Sequence, residues 1–155
     1  MASAARHGLM RLITCAFGAQ ATETATVTVR IPADARQLAL IRAMTDTVCL
    51  VAEAPLDAAS DIRLAINEAA SMLLADALPG SALGCAFTYG LGRMSVRVDA
   101  VAVVGDDAHR DPLSWELVRM LTRSLSISRG PFDSELGGYP TVIEFSWERG
   151  PFDDT

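Results

Sequence analysis

The sequence predicts an α+β domain, a two-layer sandwich with helices on one face of a mixed β-sheet. Three observations predict it. Segments near both ends, "TVTVRI" at 26–31 and "TVIEFSWE" at 141–148, alternate apolar and polar residues with the two-residue period of half-buried strands. Between them, three stretches repeat apolar residues at the three- and four-residue steps of helices. The resulting order is strand, helix, helix, strand, strand, helix, strand, strand. With 155 residues, 50% of them hydrophobic, the chain suits one compact domain with a real core.

In the first strand, from Thr24 to Ile31, Val27, Val29 and Ile31 alternate with Thr26, Thr28 and Arg30, and Pro32 closes it. Asp34 caps a helix running to about Ala54, with Leu38, Ile41, Thr45, Val48 and Val51/Ala52 as its stripe. Pro55 breaks that helix and Asp57 caps the next. In "DIRLAINEAASMLLADALPG", residues 61–80, Ile62, Ile66, Ala69 and Leu73 form the core stripe, and Pro79-Gly80 stops the helix. Leu64, Glu68, Ser71, Met72 and Ala75 fall on the other side, so a carboxylate stands on a second, half-apolar face.

"ALGCAFTYGLG" and "RMSVRVDAVAVV" read as two strands joined at Gly90-Leu91-Gly92. That Gly-x-Gly pair lies between two strands, which makes it a hairpin turn and no dinucleotide fingerprint. Asp111-Pro112 starts a third helix, with Leu113, Leu117, Met120 and Leu121 as its stripe up to about Ser124. "SLSISRG" is a short strand, "PFDSELGGYP" a loop, and "TVIEFSWE" the closing strand. "RGPFD" occurs at 129–133 and again at 149–153, too isolated to define a structural repeat.

The domain spans 23–149, between an N-terminal extension at 1–22 and a tail at 150–155, both expected to be mobile. The extension carries Arg6 and Arg11, no acid, and an apolar run from Leu12 to Ala19. This run is at the lower limit of a secretory leader and far too short to span a bilayer. The expectation is a flexible extension, or a chain start at Met10, on a cytoplasmic protein with no membrane partner.

All 13 cationic side chains are arginine, which excludes a P-loop lysine, a Schiff-base enzyme and a Ser-Lys hydrolase. A formal charge of -6 argues against a nucleic-acid partner. Cys15, Cys49 and Cys85 lie more than thirty residues apart and fit neither a zinc pattern nor a disulfide scaffold, so they read as reduced thiols. His7 and His109, the two histidines, do not have metal-site spacing.

The element order, "DIRLAINEAAS" on the second helix, "MSVRVD" after a hairpin and "GGYPTVIEFSW" as the closing strand together resemble the RsbW-type anti-sigma factor serine/threonine kinases. These belong to the GHKL (histidine kinase-like, Bergerat-fold) ATPase superfamily. The match covers roughly residues 24–148, and it implies a GHKL-like domain that sequesters a sigma factor and is released by an anti-anti-sigma (STAS) antagonist. It also implies a homodimer and an ATP and Mg²⁺ site. On it, Glu68 takes the place of the family's catalytic glutamate. Asp99 takes that of the adenine-reading Asp, and Gly137, Gly138 and Thr141 those of a Gly-Gly-Thr phrase.

The departures bear on the chemistry. Four residues after Glu68, where relatives carry a Mg²⁺-binding asparagine, stands Met72, whose thioether offers no hard oxygen. Asn67, the only Asn, lies about 140° around the same helix from position 72. Val101 stands where a glycine should follow Asp99, and "HRDPLSWELV" has no glycine where relatives have a phosphate-cradling lid. The resemblance with these departures implies binding with a weak or lost ATP and Mg²⁺ site. The alternative is an active serine/threonine kinase that phosphorylates the antagonist, its metal site completed by a residue such as Asp76. Read from the residues alone, Glu68 is a solvent-facing charge, Met72 is packing, Asp99 shares a solvated strand face with Arg97 and Ser95, and Gly137-Gly138 is a turn.

Overall fold

A computed structural model of the chain describes residues 23–106 and 111–150. Five strands, β1 (Ala25–Pro32), β2 (Ala82–Gly90), β3 (Arg93–Ala102), β4 (Ser124–Arg129) and β5 (Tyr139–Glu148), form one open sheet in the order β1-β2-β3-β5-β4. Three helices accompany them: α1 (Leu38–Val51), α2 (Leu56–Ala75) and α3 (Pro112–Leu121).

The α+β class is as the sequence predicts, but the sheet is not mixed, because every neighbouring pair is antiparallel. The reason lies in the connections. One crossover helix would return the chain parallel, whereas β1 and β2 are joined through two helices, α1 and α2, which adds a reversal. The parallel pair that a single helix does generate, β3 and β4, is separated by β5.

The apolar stripes explain the layering. Ile62, Ile66, Ala69 and Leu73 of α2 are buried, as the spacing predicts, with Ala65 and Ala70 beside them. Their short side chains bring the α2 backbone close to the sheet. Facing them are Leu83, Cys85 and Phe87 of β2, Met94, Val96 and Val98 of β3, and Ile143 and Phe145 of β5. From α1 come Ile41, Thr45, Val48 and Cys49; Thr45 returns its hydroxyl to the Ile41 carbonyl at 2.8 Å, so its burial leaves no unmade bond. Successive residues on β3 point to opposite faces, and Arg93, Ser95 and Arg97 stay in water.

Several local readings need correction. Asp34 caps a single 3₁₀ turn, Ala35–Gln37, which leads into α1. Pro55, not Asp57, holds the N-cap position of α2, and Asp57 sits in the first turn, where its charge favours the helix dipole. Helix α2 ends at Ala75, before Pro79, because the chain pairs with the end of β3: Val103 N–H donates to Asp76 O at 2.9 Å and Leu78 N–H to Val101 O at 2.7 Å. In α3 the buried residue is Val118, while Leu113 and Met120 point to solvent. Tyr139 and Pro140 belong to β5, near its start, where a missing N–H is tolerated. Leu91 and Gly92 both have positive φ, 53° and 71°, giving the two-residue turn that matches strand twist.

Asp34 makes the capping reading testable. Its carboxylate accepts from the Arg36 side chain at 2.6 Å and from the Arg36 backbone N–H at 2.9 Å. The guanidinium first, and the backbone donor second, hold its pKa at about 2 against an ordinary 3.8. A depressed carboxylate pKa contributes stability above the unfolded-state value, and this is lost as pH falls through the folded one. Asp34→Asn therefore flattens the acid limb of a stability–pH curve between about pH 4 and 2, leaving its neutral slope unchanged; chemical denaturation at stepped pH checks this.

Candidate functional site

Glu68 lies on α2 toward α3, half-buried, and accepts a hydrogen bond from the Ser114 hydroxyl at 2.9 Å. The same hydroxyl lies 3.2 Å from Asp111, whose other oxygen caps α3 by accepting from Leu113 N–H at 2.9 Å. With one proton to give, Ser114 serves one of the two carboxylates at a time. The half-apolar second face of α2 thus has its explanation: α3 packs there, and Glu68 ties the first turn of α3 to the central helix. The charge also stands near a helix N-terminus, where it is favoured.

A double-mutant cycle on Glu68→Gln and Ser114→Ala should return a coupling of about 1 kcal/mol in urea unfolding, the scale of a half-buried hydrogen bond to a charged acceptor. Additive effects would show that the two do not interact.

Asp99 is not brought to Glu68. Its side chain lies on the helix-free face of the sheet, beside Arg30 at 3.4 Å and over the hydrogen of Gly84, where a Cβ would come within 2.3 Å of it. Ala100, one residue on, is the one that faces the helices. Met72 is half-buried and packs against the core, and Asn67 turns the other way, accepting from Arg42 of α1 at 2.9 Å.

The closing-strand residues cluster elsewhere. Gly137 takes φ +76°, making the turn that precedes β5. Gly138 is buried so tightly that a Cβ would stand 2.5 Å from Ala102 O and 2.7 Å from a Val101 methyl. Thr141, also buried, donates to Tyr139 O at 3.2 Å and accepts from Arg129 Nε at 3.0 Å.

Arg129, which the sequence did not single out, organises this end of the molecule. From the last position of β4 it donates to Thr141, to Val104 O at 3.2 Å and to Asp106 O, and it pairs with Asp76 at the end of α2 at 3.8 Å. One guanidinium thereby joins two strands, the central helix and the chain leaving β3. Asp76 is committed to this cation. Among the described residues no three His, Cys, Asp or Glu side chains converge to hold a metal.

A second polar feature lies on the outer side of the helix layer. Arg42 of α1 with Ser60, Arg63, Leu64 and Asn67 of α2 line an open groove of about 390 Å³. Asn67 Oδ1 accepts one Arg42 N–H, and Arg63 reaches Asp46 at 3.6 Å with both side chains about half exposed. Two guanidiniums, an amide and a hydroxyl around one leucine suit a carboxylate-bearing, partly apolar segment. The sequence signal was available: Arg42 and Arg63 each fall on the outer side of a helix whose inner stripe is aliphatic.

No helix among the described residues is long and apolar enough to cross a membrane. No protein-family model matches the chain, and no curated protein sequence matches it.

Proposed function

We propose that this chain is an RsbW-like anti-sigma factor of the GHKL type, a cytoplasmic homodimer that sequesters a sigma factor and yields it to a STAS-domain antagonist, with a weak or lost ATP and Mg²⁺ site. The observation that carries the reading is the succession β-α-α-β-β-α-β-β with Glu68 on the seam between α2 and α3. That seam is occupied. Glu68 is held by Ser114, the next turn offers the Met72 thioether, and Asp76, the other carboxylate on this helix end, is held by Arg129. Phosphoryl transfer depends on metal ions bridging the β and γ phosphates, so the reading favours partner binding over catalysis. Asp99, Gly137, Gly138 and Thr141 are on this view remnants kept for packing and turn geometry. The Arg42/Arg63 groove is the proposed contact for acidic side chains of a partner.

Calorimetric titration with ATP, with and without Mg²⁺, tests the nucleotide half of the reading. The expected result is no Mg²⁺-dependent binding in the micromolar range. Metal-dependent binding, followed by phosphate transfer to a STAS protein that Glu68→Ala abolishes, would establish the kinase instead.

A further inference from the structure

Two exposed apolar parts of the molecule are tied together at one end. The corner between α1 and α2 leaves Leu50, Val51 and Leu56 at 78%, 60% and 85% exposure, and the tip of the β2–β3 hairpin leaves Leu91 at 70%. Arg149 spans the gap, so no more than one arginine's length separates corner from tip: its backbone N–H donates to Gly92 O at 2.7 Å and its guanidinium to Glu53 O at 2.9 Å. Among the described residues, Glu53 and Leu91 are the non-glycine residues with positive φ, each at 53°, and one stands in each part. Four large aliphatic side chains in water, beside turns that hold a costly backbone, are a poor arrangement for a bare surface and a good one for a covered one.

The charges around these side chains decide what covers them. Glu53 and Asp57 at the corner, and Asp61 one turn further along α2, are exposed and take part in no ion pair among the described residues. Arg149, the cation between the two parts, is engaged with the two carbonyls. A second copy of this surface, or an anionic membrane, would bring like charges together across the contact. We infer that this end is a docking surface for an amphipathic segment of another protein, one that carries leucine-sized apolar side chains on one face with arginine or lysine beside them. The exposed aliphatic groups supply the buried centre of such a contact, and the carboxylates at its rim select the sign of the partner's charge. The surface shares no residue with the Arg42/Arg63 groove, whose charge is of the opposite sign, and it does not depend on the sigma-binding reading.

The test uses the full chain, isotope-labelled, and a synthetic amphipathic peptide of about 14 residues with leucines at i, i+3, i+4 and i+7 and arginines between them, against a twin with glutamates in place of the arginines. The arginine peptide should shift the amides of 50–57 and 90–93 in NMR spectra and leave those of β4 and α3 in place, and the glutamate twin should bind at least about tenfold more weakly. Leu50→Ser with Leu56→Ser should weaken the arginine peptide by at least about tenfold, and Glu53→Gln with Asp57→Asn should reduce the salt dependence of its binding. These side chains are exposed, so the variants keep the fold, and unchanged amide positions in β2 and β5 check this. Equal binding of the two peptides, or no shift at 50–57 and 90–93, would overturn the proposal. So would a dimer in sedimentation that Leu50→Ser with Leu56→Ser dissociates, which would assign the surface to a second copy.

Discussion

Arg129→Met is expected to lower the stability of the folded chain by about 3–5 kcal/mol, the scale for removing one partner of a buried ion pair. Methionine keeps most of the apolar stem, so the loss is of the charge and its donors. The Asp76 carboxylate is left facing a dry environment, and Thr141 Oγ1 and Val104 O lose the N–H groups that satisfied them. Burial decides the ranking here. The Arg97–Glu144 pair is shorter, at 2.7 Å, but each side chain is about half exposed, so it is worth less than about 1 kcal/mol. Arg129–Asp76 spans 3.8 Å, yet the side chains are only 14% and 12% exposed. Urea unfolding should show a lower midpoint with an unchanged slope. Adding Asp76→Leu should recover part of the loss, because it removes the stranded charge.

Gly138→Ala should cost about 3 kcal/mol, at the upper end of overpacking losses. Gly138 has an ordinary negative-φ or extended backbone, so the penalty is purely spatial. The new methyl would stand 2.5 Å from the Ala102 carbonyl, which is locked in the β3–β5 ladder opposite Tyr139 and cannot yield alone. Gly137→Ala provides the contrast. Its Cβ has room, with Leu78 Cδ2 nearest at 3.7 Å, but φ is +76°, and the cost there is about 1 kcal/mol of left-handed strain. Thermal unfolding of the two single variants separates a packing glycine from a turn glycine. Equal losses would contradict this account of the pair.

Much of the fold was legible because period carries burial. The α2 stripe, the strand alternations and the Asp111-Pro112 start all emerged where spacing predicts them, and the face holding Glu68 could be read before anything showed that α3 covers it. What escaped the sequence has physical reasons. Asp99 is not among these, since its alternation with Ser95 and Arg97 already puts it on the outer strand face, where the structure has it. In α3 the predicted stripe was about one residue out of phase, because Leu113 and Met120 look like core and only packing shows that Val118 is. The antiparallel sheet depends on which strands become neighbours, which no local pattern encodes. Arg129 sits in a strand of alternating small residues, and its partners Asp76, Val104 and Thr141 are distant in sequence.

The central claim, that this fold holds a sigma factor without needing nucleotide chemistry, has a direct measurement. The purified full-length chain, immobilised, is exposed to its own cell lysate without added ATP, and the retained proteins are identified by mass spectrometry. The account predicts a retained sigma factor, released by a STAS-domain protein, and bound at least about tenfold more weakly by Arg42→Glu, since a like charge would then face the partner's carboxylates. Retention of no sigma factor, or sigma binding that Arg42→Glu leaves unchanged and that requires Mg-ATP, would contradict it.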